Sequence, residues 1–169
     1  MLPRSPRNAI VGVAVLGGVL AALVLTRASS STPPWIDVGS HEGLLSRRVI
    51  YVEEAKVFVV ANGSDVVALR SQAPHVPDDH VLFCPSSGWF EGRHGERFDA
   101  LGRYALGPAS EGLTRVAVRV DDGTVQIDPS VILGAAPRDA GTDPPEGPFC
   151  SGGGELVPSS TPGYAASSG

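Results

Sequence analysis

Two histidines and a carboxylate are the residues of this chain best suited to chemistry. His75 is followed, after fifteen residues, by Glu91-Gly92-Arg93-His94. Two imidazoles and one carboxylate suit a mononuclear Fe(II) or Zn(II) site of His75, His94 and Glu91. Asp78, Asp79 and His80 lie close enough in sequence to add ligands. The plainer reading makes both histidines structural, hydrogen-bonded to backbone or to Glu91. No further acid–base constellation accompanies them, so catalysis on such a metal is not expected. A Gly-rich phosphate loop, a Ser-His-Asp ordering and a basic-aromatic stripe are all missing from the sequence.

The spacing Ala73-Pro74-His75 … Glu91-Gly92-Arg93-His94 resembles the C-x-H…C-x-x-H ligand pattern of the Rieske iron–sulfur family. The likeness runs from about Val49 to Asp128. Gly95-Glu96-Arg97-Phe98-Asp99 is similar to the run after the family's second ligand loop. Leu106-Gly107-Pro108-Ala109 is similar to its proline loop, and residues 116–120 and 125–127 stand where its last two strands fall. The resemblance implies a small, all-β, antiparallel barrel or sandwich with an inserted loop subdomain.

A Rieske [2Fe–2S] centre hangs one iron on two Cys thiolates and the other on two His imidazoles. At the thiolate positions this chain has Ala73, which has no donor atom, and Glu91, which has only hard oxygens. The degenerate ligand positions are therefore Ala73, His75, Glu91 and His94, and no cluster is expected. The resemblance also places Asp78 and Arg93 where the family has the two halves of a disulfide between its loops. An ion pair between them would replace that bond. Cys84 and Cys150, the only cysteines, form either a disulfide or two free thiols, since sequence does not place them within reach of each other.

The elements that must position these residues begin with an uncharged segment over residues 9–26. Eighteen residues at ~1.5 Å each span about 27 Å, enough to cross a thin bilayer core. Arg4 and Arg7 precede the segment and no acid does, which favours a cytoplasmic N-terminus and an exported remainder. A cleaved signal peptide is the alternative, against which Thr26-Arg27-Ala28 is a poor cleavage site. The expected localisation is thus the cell membrane, single-pass, with the domain outside the cytoplasm. All 18 acidic residues lie beyond residue 28 with all but three of the 13 basic ones, an acidic balance that excludes nucleic acid as a partner.

The organisation expected is a cytoplasmic N-terminus over 1–8, an anchor over 9–26, a tether over 27–45, a β domain over 46–133 and a disordered Pro/Gly/Ser-rich tail over 134–169. Short strands are predicted at residues 49–52, 57–60, 66–69, 116–120 and 125–127, with hairpin turns at Asn62-Gly63-Ser64-Asp65 and Asp121-Asp122-Gly123. Beyond the anchor no helical periodicity appears. Trp35 is read either at the membrane surface or packed under the domain. Trp89 and Phe90 are read as packing against the barrel, or else as a docking surface.

Three functions follow from these readings. The first is a membrane-anchored structural or accessory component of a quinol–cytochrome c type respiratory complex, without cofactor. The second is a Rieske [2Fe–2S] electron-transfer protein. The third is a mononuclear Fe or Zn protein using His75, His94 and Glu91.

Overall fold

The computed structural model describes residues 35–151 and 154–155. The predicted anchor over 9–26, the cytoplasmic segment before it and the end of the predicted tail lie outside the described residues. Among the described residues no helix is long and apolar enough to cross a membrane.

The chain folds into two antiparallel sheets. Strands β1 (Ile36–Ser40), β2 (Val49–Val52), β3 (Val57–Asn62), β4 (Asp65–Arg70), β9 (Thr114–Asp121) and β10 (Thr124–Ala135) form a barrel-like sheet in the order β1-β10-β9-β4-β3-β2. Between β4 and β9 the chain inserts a smaller sheet of β5 (Leu82–Cys84), β6 (Trp89–Glu91), β7 (Arg97–Phe98) and β8 (Tyr104–Leu106), in sequence order. The all-β barrel with an inserted loop subdomain is thus the observed architecture.

β3 explains why the two sheets hold together. Successive strand residues point to opposite faces, and Val57 to Ala61 are all buried. Val57, Val59 and Ala61 join Leu44, Ile50, Val116, Val125 and Ile127 in one core. Phe58 and Val60 face the other way, into a second core with Tyr51, Leu69, Val81, Phe83, Phe90 and Phe98. The Phe58 ring lies 4.9 Å from that of Phe90, a contact between the two sheets. Each such aromatic contributes about 1.5–3 kcal/mol by burial.

The hairpins form where their residues allow. Asp122 and Gly123 have φ of 45° and 76° and join Asp121 to Thr124, directly paired across β9 and β10. Two consecutive positive φ values suit the right-handed twist of a tight hairpin, and Asp-Gly adopts them at little cost.

Two boundaries differ from the sequence reading. Residues 36–40 of the predicted tether are an edge strand, with Ile36 opposite Ile127. Helix α1 (His41–Arg47) follows; its N-cap Ser40 Oγ accepts from the Gly43 N–H at 3.0 Å, and its buried Leu44 completes the first core. A seven-residue helix with one buried position is too short to show a period. The Arg119 guanidinium lies over the half-buried Trp35 ring, 4.2 Å from its centre.

The second difference is the tail. β10 runs on to Ala135, and residues 136–151 then cross the small sheet. Arg103 holds Asp143 at 2.7 Å, and the Glu146 N–H donates to Ser87 O at 2.9 Å. Arg48 binds Glu146 through two nitrogens, at 2.7 and 2.5 Å. That hydrogen bonding holds the Glu146 carboxyl below the usual carboxylate range and raises Arg48. Phe149 meets Trp89 edge-on at 5.5 Å and lies under the Arg97 guanidinium at 3.8 Å. Finally, Cys150 is disulfide-bonded to Cys84, with Cα atoms 5.7 Å apart. Composition predicts disorder here because the segment has few large apolar groups. Backbone, ionic and covalent ties supply what burial does not.

Candidate functional site

Three loops of the inserted subdomain meet at one end of the small sheet. The first, residues 71–81 between β4 and β5, closes on itself. Val81 N–H donates to Ser71 O at 2.7 Å, Ala73 N–H to Asp79 O at 2.8 Å and Asp79 N–H to Val76 O at 2.9 Å. The second, residues 92–96 between β6 and β7, is a tight turn closed by Gly92 N–H to Glu96 O at 2.8 Å. The third follows β8 and presses Gly107 against the second. A β-carbon built on Gly107 would stand 2.5 Å from Glu96 Cα and 2.8 Å from Gly95 O.

This packing brings His75 and His94 together, with ring centres 5.8 Å apart and planes nearly perpendicular. Both rings are exposed. His94 Nε2 lies 2.9 Å from Asp79 Oδ2, and Arg93 stands 3.8 Å from the other Asp79 oxygen. The acid that bridges the loops is therefore Asp79, and the expected pair of Asp78 with Arg93 does not form. The reason is local. The Val76–Asp79 turn directs Asp79 inward, where it is half-buried, and leaves Asp78 exposed. The Arg93 side chain is 79% exposed, so screening limits the Asp79 contact to at most about 1 kcal/mol. In a double-mutant cycle followed by chemical denaturation, Arg93→Ala with Asp79→Ala shows a coupling of that order. The same cycle with Asp78→Ala shows none.

Ala73 and Glu91, the expected degenerate ligand positions, differ in their surroundings. Ala73 is 1% exposed and belongs to the second apolar core. Glu91 is 4% exposed, and its Oε1 accepts the Cys150 N–H at 2.8 Å. Among the described residues, the only trio of His, Cys, Asp or Glu with ligand atoms all within 4.8 Å is Cys84, Glu91 and Cys150. The set of His75, His94 and Glu91 does not assemble among the described residues. A [2Fe–2S] cluster does not fit this donor set either. Ala73 has no donor atom, Glu91 offers only oxygens and accepts the Cys150 N–H, and the two cysteines are tied to each other.

Other motif residues have structural work. The buried Asp99 carboxylate accepts from the Leu101 and Arg103 N–H groups at 3.0 and 2.9 Å and from the tail's Asp143 N–H at 3.2 Å. Arg103 Nε adds a 2.6 Å bond to it. Tyr104 OH donates to Gly107 O at 2.7 Å, fixing the third loop. His80 Nδ1 sits 3.0 Å from Ser71 Oγ. Phe90 is fully buried and Trp89 nearly so, so neither supplies a docking surface.

Glu96 is a residue the sequence reading did not single out. It is fully buried, and neither carboxyl oxygen has a hydrogen-bond partner among the described residues. Its side chain lies against Gly92, where a β-carbon would come within 2.4 Å of it. With Glu91, Arg93, Arg97 and Ser151 it lines a cavity of about 140 Å³. Nothing in Gly95-Glu96-Arg97, a polar run in a turn, signals that its middle residue is buried.

Fold and loops together define an antiparallel β domain with an inserted small sheet, whose two main loops pair a histidine each. No family model matches the chain and no curated protein matches it. Among solved structures, it is similar to the cyanobacterial plasma membrane Rieske protein PetC3 from Synechocystis PCC 6803. The likeness has 24% identity and a TM-score of 0.46, and covers 54% of this chain and 97% of that one.

Proposed function

We propose that this protein is a Rieske-like domain that carries no cluster and acts as a membrane-tethered accessory subunit of a quinol–cytochrome c type complex. The observation that carries the reading is the fate of Glu91, whose carboxylate accepts the Cys150 N–H. Iron at such a position needs thiolate sulfur, whereas Glu91 offers only oxygens, one of which fastens the tail. Ala73 in the core and the Cys84–Cys150 bond support the same conclusion. The loop end keeps its shape through the His94–Asp79 contact and the Gly107 packing. What remains is a protein surface that carries no iron–sulfur centre. The apolar segment over 9–26 supports attachment to a membrane. The acidic balance of the remainder favours a partner with a basic face.

The test is purification of the full-length chain from membranes, with a visible spectrum, EPR after reduction, and iron and sulfide analysis. The expected result is a colourless protein without stoichiometric iron or acid-labile sulfide, recovered together with respiratory-complex subunits. Two irons and two sulfides per chain, the content of a Rieske centre, would overturn it.

A further inference from the structure

We propose that the Cys84–Cys150 disulfide is a redox-gated zinc site, in which reduction exposes two thiolates that bind one Zn²⁺ together with Glu91. The three donors are already in place. Cys84 Sγ, Cys150 Sγ and a Glu91 oxygen lie within 4.8 Å of one another. Zinc binds thiolates at about 2.3 Å and carboxylates at about 2.0–2.2 Å, in tetrahedral sites. Cα atoms 5.7 Å apart let two cysteines reach one metal by side-chain rotation, with the backbone in place. Two soft sulfurs select Zn²⁺ over Mg²⁺ or Ca²⁺, which take oxygen. Water completes the fourth position.

Three surrounding features suit an ion. Cys84 and Glu91 are buried, so their donors are screened from bulk solvent, while Cys150 is only half-buried and leaves a way in. The Ser86 hydroxyl, which donates to Pro148 O at 2.7 Å, stands 3.2 Å from the Cys84 sulfur and 3.5 Å from that of Cys150, a polar neighbour to both. The cavity that Glu91 and Ser151 line also holds the Glu96 carboxyl, buried and without a hydrogen-bond partner among the described residues. Arg93 and Arg97 line it too.

The chemistry balances. A dithiol reductant gives two electrons and two protons to the S–S bond and closes into its own disulfide. Cys84 and Cys150 become thiols, and Zn²⁺ displaces their two protons as it binds. In the oxidised protein both sulfurs are bonded to each other and neither is a thiolate.

The full-length chain is titrated with Zn²⁺ against a chromophoric chelator, once as purified and once after reduction by a phosphine. The same is done with Cd²⁺, reading sulfur-to-cadmium charge-transfer absorption. One equivalent of metal should bind to the reduced protein only, with the thiolate absorption. Glu91→Gln, which keeps the disulfide and whose fold is verified before reduction, should weaken binding about tenfold or more. Cys84→Ser and Cys150→Ser should abolish the absorption, and His75→Ala with His94→Ala should change nothing. The proposal fails if the reduced chain takes up no stoichiometric metal or unfolds without recovery on adding zinc. It also fails if binding ignores redox state, if cadmium binds without thiolate absorption, or if Glu91→Gln is silent.

Discussion

Replacing Cys84 and Cys150 by serine lowers the stability of the metal-free domain by about 4 kcal/mol, the value for a bond closing a loop of this size. The two cysteines are 66 residues apart, and the bond between them restricts the unfolded chain over most of the insert and β9–β10. Urea denaturation of the double variant, compared with the oxidised parent, measures the loss. Limited proteolysis shows where it falls. Residues 136–150 become the first cleavage site, because without the bond the tail is held by exposed pairs such as Arg48–Glu146 and a few backbone bonds. A drop of less than about 1 kcal/mol would show that the ionic and backbone ties alone hold the tail.

Gly107→Ala is the second large effect. Gly107 has φ of 101°, a conformation costing a side chain about 1 kcal/mol or more. The added methyl would also meet backbone of the second loop at 2.5–2.8 Å, and backbone cannot swing aside as a flexible side chain can. Overpacking of this kind adds about 1–3 kcal/mol, so a total of about 3 kcal/mol is expected by chemical denaturation. The loops should separate as well. Loss of the His75–His94 ring proximity, read by NMR of the imidazole protons, distinguishes this from a general loss of stability.

These two positions also mark how much the sequence disclosed. The strands were legible because alternating or continuous apolar runs such as Val57 to Val60 are bounded by turn residues. The loop end was legible from the spacing of His75, His94 and Gly107. Partner choice was not. Asp79 replaces Asp78 through a single backbone turn, and one residue of shift is invisible in a run of two aspartates. Glu91 looks like a metal ligand in sequence, yet a backbone N–H from fifty-nine residues away claims it. The tail's composition speaks against order, and it is fastened by contacts that composition does not count. Glu96 is hidden for the same reason, since its burial comes from neighbouring glycines that admit it.

The two-faced burial of β3 has a thermodynamic consequence. A strand that is interior wall to both cores leaves no seam along which one could melt while the other persisted. Heat or denaturant should therefore dismantle the barrel and its insert in a single cooperative step, with one calorimetric peak.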